Sequence, residues 1–238
     1  MSSKILEAAL GIFFPPLCVR CGAEGEYICA SCEVFCSEAS YICPVCRASS
    51  FTGERHRSCV SRRGLDGLVN AWEYDGVIKR AIHLVKYGGL THMASELALR
   101  ALRAYAAIPA RSGAFLSYLY GEDVVISFPP MWRAKEKIRG FNQAEVLARG
   151  IARAAGKRPL PLLVKIRDTR SQVDLEQKER FFNVRNSIAV REGSNVRGRR
   201  ILVVDDVWTT GSTIQECCRA LKRAGARTVW GCTLARTP

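Results

Sequence analysis

Two neighbouring carboxylates follow a short apolar run in the sequence and precede a turn that is rich in hydroxyl groups. The run occupies residues 201–204, the carboxylates are Asp205 and Asp206, and the turn is TTGST at 209–213. Paired carboxylates suit a sugar diol, or a magnesium ion held beside phosphates. A glycine-containing turn that opens a helix presents backbone N–H groups to a phosphate, and the hydroxyls add further donors. The plainer alternative is a strand-end turn with a helix cap, but the complete pattern favours a ligand site.

The elements around this segment predict where the site lies. The apolar run predicts a buried strand, and residues 212–224 predict a helix that ends at Gly225. The carboxylates would then lie at the carboxyl end of a strand, where open α/β sheets bind their ligands. A site with a phosphate at one end and sugar hydroxyls at the other corresponds to a ribose 5-phosphate.

Cysteine supplies a second kind of chemistry near the beginning of the chain. Three Cys-x-x-Cys pairs occur there, and this spacing lets two thiolates on one turn bind the same zinc ion. No secretion signal is visible, so structural zinc is favoured over disulfides. Cys36 remains as a spare that could replace a weak ligand, and interleaved pairing of 18/21 with 43/46 stays open. The spacing predicts one or two structural zinc ions with the ligand sets Cys18, Cys21, Cys29, Cys32 and Cys43, Cys46, His56, Cys59.

Strands and helices alternate in the rest of the chain, which predicts parallel βαβ units. Asn142 is expected to cap one helix, with Glu145 completing a capping box. The change in composition near residues 60–68 divides the chain into residues 1–65 and 66–238. The three remaining cysteines, at 217, 218 and 232, are expected in the core. The predicted strands occupy 68–74, 123–128, 201–204 and 228–234, and the predicted helices 77–85, 91–106, 142–155 and 212–224.

The net charge of +14 is concentrated in one part of the chain. Residues 133–200 carry 18 basic and seven acidic side chains, an excess that favours polyanions such as nucleic acid or phosphorylated ligands. The alternative is a solvated basic surface. Arginine and lysine bind phosphate oxygens well, and several are expected on a loop after the second strand, with one more on another loop. The candidate partners of a pyrophosphate are Lys86, Arg133, Lys137 and Arg139, with Lys135 beside them.

The apolar run at residues 5–14 is too short to span a bilayer. It predicts an amphipathic helix packed on the protein, with docking to a membrane surface or a partner as the alternative. The chain is therefore expected in the cytoplasm.

Five segments of the sequence resemble motifs of known proteins. VVDDVWTTGST at 203–213 resembles the phosphoribosyl pyrophosphate (PRPP) loop of type I phosphoribosyltransferases. The cysteine-rich start, AIHLVKYGG at 81–89, RGFNQAEVLA at 139–148 and RDTRSQVDLEQKERFFNV at 167–184 resemble the ComF family in order and content. The resemblance implies an α/β type I phosphoribosyltransferase fold, with a central, mainly parallel sheet and flanking helices behind a small zinc-ribbon head.

The resemblance also implies roles for residues. The two aspartates would hold the ribose hydroxyls and the turn would hold the 5-phosphate, with Mg²⁺ beside the ligand. Thr169, Gln172 and Arg180, with Asn183, would belong to a mobile cover. Trp208 departs from the small or β-branched residue that is common in this loop, and it would shield the sugar or fill space. The implied PRPP-binding residues are Asp205, Asp206, Val207, Thr209, Thr210, Gly211, Ser212 and Thr213.

The family further implies a role in natural transformation, in which the protein handles incoming single-stranded DNA during DNA uptake beside a helicase partner. Aromatic residues in the basic window would help, because single strands bind basic grooves lined with aromatics, although such residues also build cores. The alternatives are an active, magnesium-dependent phosphoribosyltransferase with an unidentified acceptor, and a scaffold whose zinc head docks the helicase. The aromatics in question are Trp132, Phe141, Phe181 and Phe182.

Overall fold

A four-stranded parallel sheet forms the centre of the structure, a computed structural model that describes residues 15–59, 64–168 and 184–237. The strands of the described residues are β1 (Gly67–Glu73), β2 (Val124–Ser127), β3 (Leu163–Lys165), β4 (Ile188–Val190), β5 (Arg200–Trp208) and β6 (Thr228–Arg236). The central sheet has the order β1-β6-β5-β2, and β3 pairs with β4 in a separate antiparallel hairpin. The helices are α1 (Ala30–Glu33), α2 (Gly76–Tyr87), α3 (Thr91–Ala107), α4 (Pro109–Tyr120), α5 (Arg133–Arg139), α6 (Gln143–Ala154) and α7 (Ser212–Arg223).

Helices cover both faces of the sheet. Because both faces are buried, the strands are nearly continuous apolar runs in the sequence. Alternate residues of β5 point to opposite faces. Leu202 and Val204 pack with α2, α3, α4 and α6 in one apolar cluster. Ile201 and Val203 pack with α7 and the β3–β4 hairpin in another. This arrangement confirms the expected α/β class with a parallel central sheet.

The cysteine-rich head lies along the open edge of β1. The Ala39 N–H donates to the Ala71 carbonyl at 3.1 Å, and the Leu68 N–H donates to the Gly53 carbonyl at 2.8 Å. An unpaired strand edge invites association with other chains, and the head covers this one. Ile28 and Tyr41 of the head are buried in the same apolar cluster as the sheet. The proposed division at residues 65 and 66 therefore stays a prediction, because the two parts share a core.

Several local predictions are wrong. The basic residues after β2 were expected on a loop, but they form α5, because Ala, Lys, Glu and Arg favour helix and Gly140 ends it with a left-handed φ of 83°. Lys86 lies in the last turn of α2 and not in a loop.

Asn142 does cap α6, with its Oδ1 accepting from the Ala144 N–H at 3.0 Å. Glu145 does not complete a capping box, because its carboxylate pairs with Arg149 one turn later, at 2.5 Å.

Some predictions fall outside the described residues. They are the helix at 5–14 and the cover residues Thr169, Gln172, Arg180 and Asn183, together with Phe181 and Phe182. Within the described ranges, no helix combines the length and the apolar character needed to cross a membrane.

Candidate anion-binding cleft and metal centres

Strand β5 carries the two carboxylates to the carboxyl edge of the sheet. It lies between β2 and β6, so both aspartates are largely buried, at 9% exposure for Asp205 and 6% for Asp206. The Asp206 N–H donates to Asp205 Oδ1 at 2.9 Å. The backbone thus holds the two carboxyl groups side by side where the strand meets a cavity.

That cavity, the main cleft, has a volume of about 760 Å³ and contains most of the predicted ligand residues. Thr213 comes from the first turn of α7, Arg139 from the end of α5 and Lys86 from the end of α2. Three elements thus bring side chains that are able to bind a phosphate to the end of β5. The predicted residues that line the main cleft are Lys86, Arg139, Asp205, Asp206, Val207, Thr209 and Thr213.

Five predicted residues do not line the main cleft. Thr210 and Ser212 belong to the turn but are buried, and their hydroxyls form a hydrogen bond with each other at 2.7 Å. Gly211 is the residue before α7 and is also buried. Arg133 lines a second cavity of about 420 Å³. Lys137 is exposed on α5 and lines neither cavity.

The acidic pair is electrostatically strained. Burial, and then the neighbouring Asp206 carboxylate, raise the pKa of Asp205 to about 8, although the Asp206 N–H and Lys86 act in the opposite direction. Lys86 Nζ lies 3.0 Å from Asp206 Oδ2. Burial by itself would lower the pKa of Lys86, but the charge of Asp206 outweighs it and the pKa is raised. The cleft therefore contains a carboxyl group that gains from a nearby cation or hydrogen-bond donor.

Gln143 is a cleft residue that the sequence analysis missed. Its Oε1 accepts from Arg139 Nη1 at 2.6 Å, and its Nε2 donates to Asp206 Oδ2 at 3.2 Å. It links the basic end of α5 to the acidic pair on β5. Its place directly after the Asn142 cap, in the RGFNQ block, was the available signal. Tyr87 also lines the cleft, and its place in the AIHLVKYGG block was the available signal, whereas the lining residues Tyr74 and Lys165 carried none.

Trp208 fills space under the turn. Its side chain is 2% exposed and belongs to the apolar cluster around α7. Gly211 has a φ of 72°, and a Cβ at this position would overlap the Trp208 ring. A glycine is therefore required here by both the backbone conformation and the close approach of the indole. Of the two roles considered for Trp208, the structure agrees with packing and not with shielding of the cleft.

The first metal centre combines two turns of the head. The sulfur atoms of Cys18, Cys21, Cys29 and Cys32 all lie within 4.8 Å of one another, so one ion can contact all four. Burial would raise the pKa of the Cys18 thiol, but backbone hydrogen bonds from Cys21 and Cys29 lower it to about 6. Burial and the neighbouring thiols raise the pKa of Cys29 to about 12. Such crowded thiols fit a divalent cation, which would neutralise them.

The second metal centre consists of Cys43, Cys46, His56 and Cys59, again within 4.8 Å of one another. His56 Nδ1 lies 3.4 Å from the Cys46 sulfur, and His56 Nε2 lies 3.0 Å from the Ser49 carbonyl oxygen. Such a second contact orients the ring of a metal-binding histidine. The two sets can each hold zinc, and they follow one another along the chain and do not interleave. Cys36 belongs to neither set.

Comparison with known proteins agrees with this geometry. Residues 139–238 match the model of the phosphoribosyl transferase domain. DNA utilization protein YhgH of Shigella flexneri is 31% identical over 234 residues, which cover 94% of this chain and 98% of that protein. Competence protein F of Haemophilus influenzae is 34% identical over 106 residues, 43% of this chain and 46% of that protein. Competence protein ComFC of Bacillus subtilis is 25% identical over 222 residues, 89% of this chain and 85% of that protein.

The similarity extends over nearly the full length of the Shigella protein and includes both the head and the sheet domain. The parallel sheet, the two cysteine-rich sets and the matched phosphoribosyl transferase domain occur together in this one chain. The chain therefore belongs to the ComF family of phosphoribosyltransferase-like proteins.

Proposed function

We propose that the main cleft binds PRPP together with Mg²⁺. The observation that carries the proposal is the order of groups at the end of β5. Two buried carboxylates come first, a turn with a left-handed glycine follows, and α7 begins directly after it with Thr213 facing the cleft. The N-terminus of a helix favours a phosphate because its N–H groups and its dipole point toward the ligand.

Each part of the ligand then has a partner of suitable chemistry. The turn and Thr213 hold the 5-phosphate, and Asp205 and Asp206 face the ribose hydroxyls. Lys86 and Arg139 line the same cleft and neutralise the pyrophosphate, with Lys135 beside them. Mg²⁺ would supply positive charge between the carboxylates and the phosphates. The raised pKa of Asp205 supports this assignment, since the ligand would relieve the repulsion within the pair.

Isothermal titration calorimetry tests the proposal. The wild-type protein is titrated with PRPP in the presence of Mg²⁺, beside Asp206→Asn and the control Glu192→Gln, an exposed carboxylate that lines neither cavity. We expect saturable binding to the wild type and the control, and binding by Asp206→Asn weaker by about tenfold or more. A wild-type protein that releases or absorbs no binding heat, and does not compete for a fluorescent PRPP analogue, contradicts the proposal.

We also propose that the protein handles single-stranded DNA. The relatives bear the names DNA utilization protein and competence protein, and the chain has a net charge of +14. The rim of the main cleft adds a specific observation. Tyr87 is 62% exposed there, Trp132 is partly exposed, and Lys135 is exposed on α5. Exposed rings beside cations suit stacked bases and a phosphate backbone.

Fluorescence anisotropy with a labelled oligothymidylate, measured over a salt series, tests this second proposal. We expect affinity to fall linearly with salt on logarithmic axes. Lys135→Ala should reduce that slope by about one. Lys137→Ala is the matched control, because it removes the same charge from the same helix outside both cavities. Equal slopes for the two variants would exclude the cleft rim as the DNA path, and no binding at low salt would exclude the proposal.

A further inference from the structure

The cysteine-rich head forms a hydrogen bond with the turn at residues 209–213, which follows β5. Arg47 Nη2 donates to the Thr210 carbonyl oxygen at 2.7 Å, across 163 residues of sequence. In a second hydrogen bond the donor belongs to the sheet domain: Gln215 Nε2 of α7 donates to the Pro44 carbonyl oxygen of the head at 3.4 Å. Ile42 packs in the same apolar cluster as Trp208. Two hydrogen bonds and a shared apolar cluster therefore join one short segment of the head, residues 42–47, to the turn and to the strand and helix on either side of it.

That segment is the turn that carries two ligands of the second metal centre. Arg47 directly follows Cys46, and its N–H donates to the Cys43 carbonyl at 2.9 Å. Its φ of 63° is left-handed, a conformation rarely adopted by residues other than glycine. The backbone at Arg47 is thus fixed by the same turn that positions Cys43 and Cys46. The direction of its side chain depends on that turn being formed.

The contact acts on the peptide group between Thr210 and Gly211, inside the turn at residues 209–213. In a planar trans peptide the C=O and the N–H point in opposite directions. Arg47 holds the Thr210 carbonyl on the head side, so the N–H of Gly211 is directed away from the head. A cationic donor at the carbonyl also polarises the peptide group and strengthens its N–H as a donor. The contact therefore fixes both the orientation and the strength of one amide of the turn.

We propose that Arg47 is a positioning residue that couples the second metal centre to the turn at residues 209–213. When the centre is formed, Arg47 orders the turn and directs the Gly211 N–H toward the bound phosphate. The first metal centre has no such contact among the described residues. Its turns are tied instead to α3, where Arg100 pairs with Glu33 at 3.1 Å and with Glu26 at 3.4 Å. The identity of the ligand rests on the proposed function, whereas the ordering of the turn does not.

Two measurements on Arg47→Ala and Arg47→Lys test the coupling. Arg57→Ala is the matched control, because Arg57 is also exposed beside a ligand of the same centre, and no hydrogen bond to the turn is seen for it within the described ranges. Hydrogen–deuterium exchange of residues 207–215 is followed without ligand. PRPP affinity is measured with Mg²⁺. Zinc content is determined for every variant.

We expect exchange of the turn in Arg47→Ala to be faster by about fivefold to tenfold, and PRPP binding weaker by a similar factor. Zinc content should be unchanged. Arg47→Lys should restore part of both effects, since it keeps the charge and a donor, and Arg57→Ala should match the wild type. If Arg47→Ala exchanges and binds like the wild type, or if it simply loses zinc, the inference is overturned. If the wild type does not bind PRPP, the proposed function fails, while the exchange measurement still decides whether Arg47 orders the turn.

Discussion

At the scale of single residues, the buried acidic pair carries an electrostatic cost in the ligand-free protein. Asp205 is buried beside Asp206, and its pKa is raised from an ordinary value of 3.8 to about 8. The folded protein therefore binds a proton at Asp205 that the unfolded chain has lost between about pH 4 and pH 8. Because the unfolded state binds fewer protons, the free energy of unfolding falls as the pH rises through this range.

Asp205→Asn should remove that cost in the ligand-free protein. Asparagine keeps the shape and the Oδ1 acceptor for the Asp206 N–H, but it never carries the buried charge. We expect the variant to be more stable than the wild type by on the order of 2 kcal/mol at pH 9, and by less at pH 5.5. Urea denaturation at the two pH values measures the difference. A variant that is less stable than the wild type at pH 9 would show that the carboxylate is not strained.

Gly211 is a position of the turn that has no room for a side chain. Gly211→Ala must place a Cβ against the Trp208 ring at a left-handed φ, and we expect a loss of about 3 kcal/mol. Gly140→Ala is the matched control, because Gly140 has a φ of 83° but open space around it, and should lose about 1 kcal/mol. Thermal denaturation of both variants compares them. Equal losses would mean that the Trp208 contact is not tight.

Residue patterns predicted the parts of the site that are close in sequence. Asp205, Asp206 and Thr213 lie within nine residues on one strand–turn–helix unit, so spacing alone predicted their common edge. The Gln143–Asp206 and Arg47–Thr210 contacts could not be predicted in this way. They join residues 63 and 163 positions apart, and only the packing of α6 and of the head against the sheet brings them together.

At the scale of elements, most segments with a clear apolar pattern were predicted, whereas the helices α4 and α5 and the β3–β4 hairpin were not. The apolar faces of α2, α3, α6 and α7 and the buried strands β1, β5 and β6 follow simple patterns. The seven residues of α5 bury no side chain, and β3 and β4 have three residues each. Such elements carry no periodicity, and their structure depends on the neighbouring parts of the fold. The helix α5 and the β3–β4 hairpin nevertheless form walls of the two cavities.

The two metal centres make a prediction at this scale. His56→Ala should lower the zinc content by about one equivalent per chain, because it opens one of the two tetrahedral sets. Cys36→Ser should leave the zinc content unchanged, since Cys36 lies in neither set. Metal analysis after exhaustive dialysis provides the comparison. Loss of zinc from Cys36→Ser would mean that the ligand sets are different from those that the geometry brings together.

At the scale of the whole molecule, the head completes the sheet domain and does not stand apart from it. It pairs with the edge of β1 and contributes Cys18, Ile28, Cys32 and Tyr41 to the main apolar cluster. Arg111 of α4 donates to the Ala39 carbonyl, and its guanidinium lies 3.8 Å from the centre of the Tyr41 ring. Deleting the head would therefore change the stability of the sheet domain as well as remove any surface that docks a partner.

A chain that begins at residue 64 should be poorly folded. It exposes the edge of β1 and the apolar surface that the head covers, and exposed edges promote association. We expect it to elute as aggregates in size-exclusion chromatography and to melt at a lower temperature than the full chain. A monomer with unchanged melting temperature would mean that the sheet domain has a sufficient core of its own, and would support the division at residues 65 and 66.

The ligand of the main cleft determines what the whole molecule does. A crystal structure of the full chain grown with Mg²⁺ and saturating PRPP measures this directly. We predict density for a phosphoribosyl group with its 5-phosphate at the N-terminus of α7, its ribose at Asp205 and Asp206, and its pyrophosphate toward Lys86 and Arg139. A main cleft that holds no PRPP under these conditions, or PRPP bound only elsewhere on the molecule, would contradict the account.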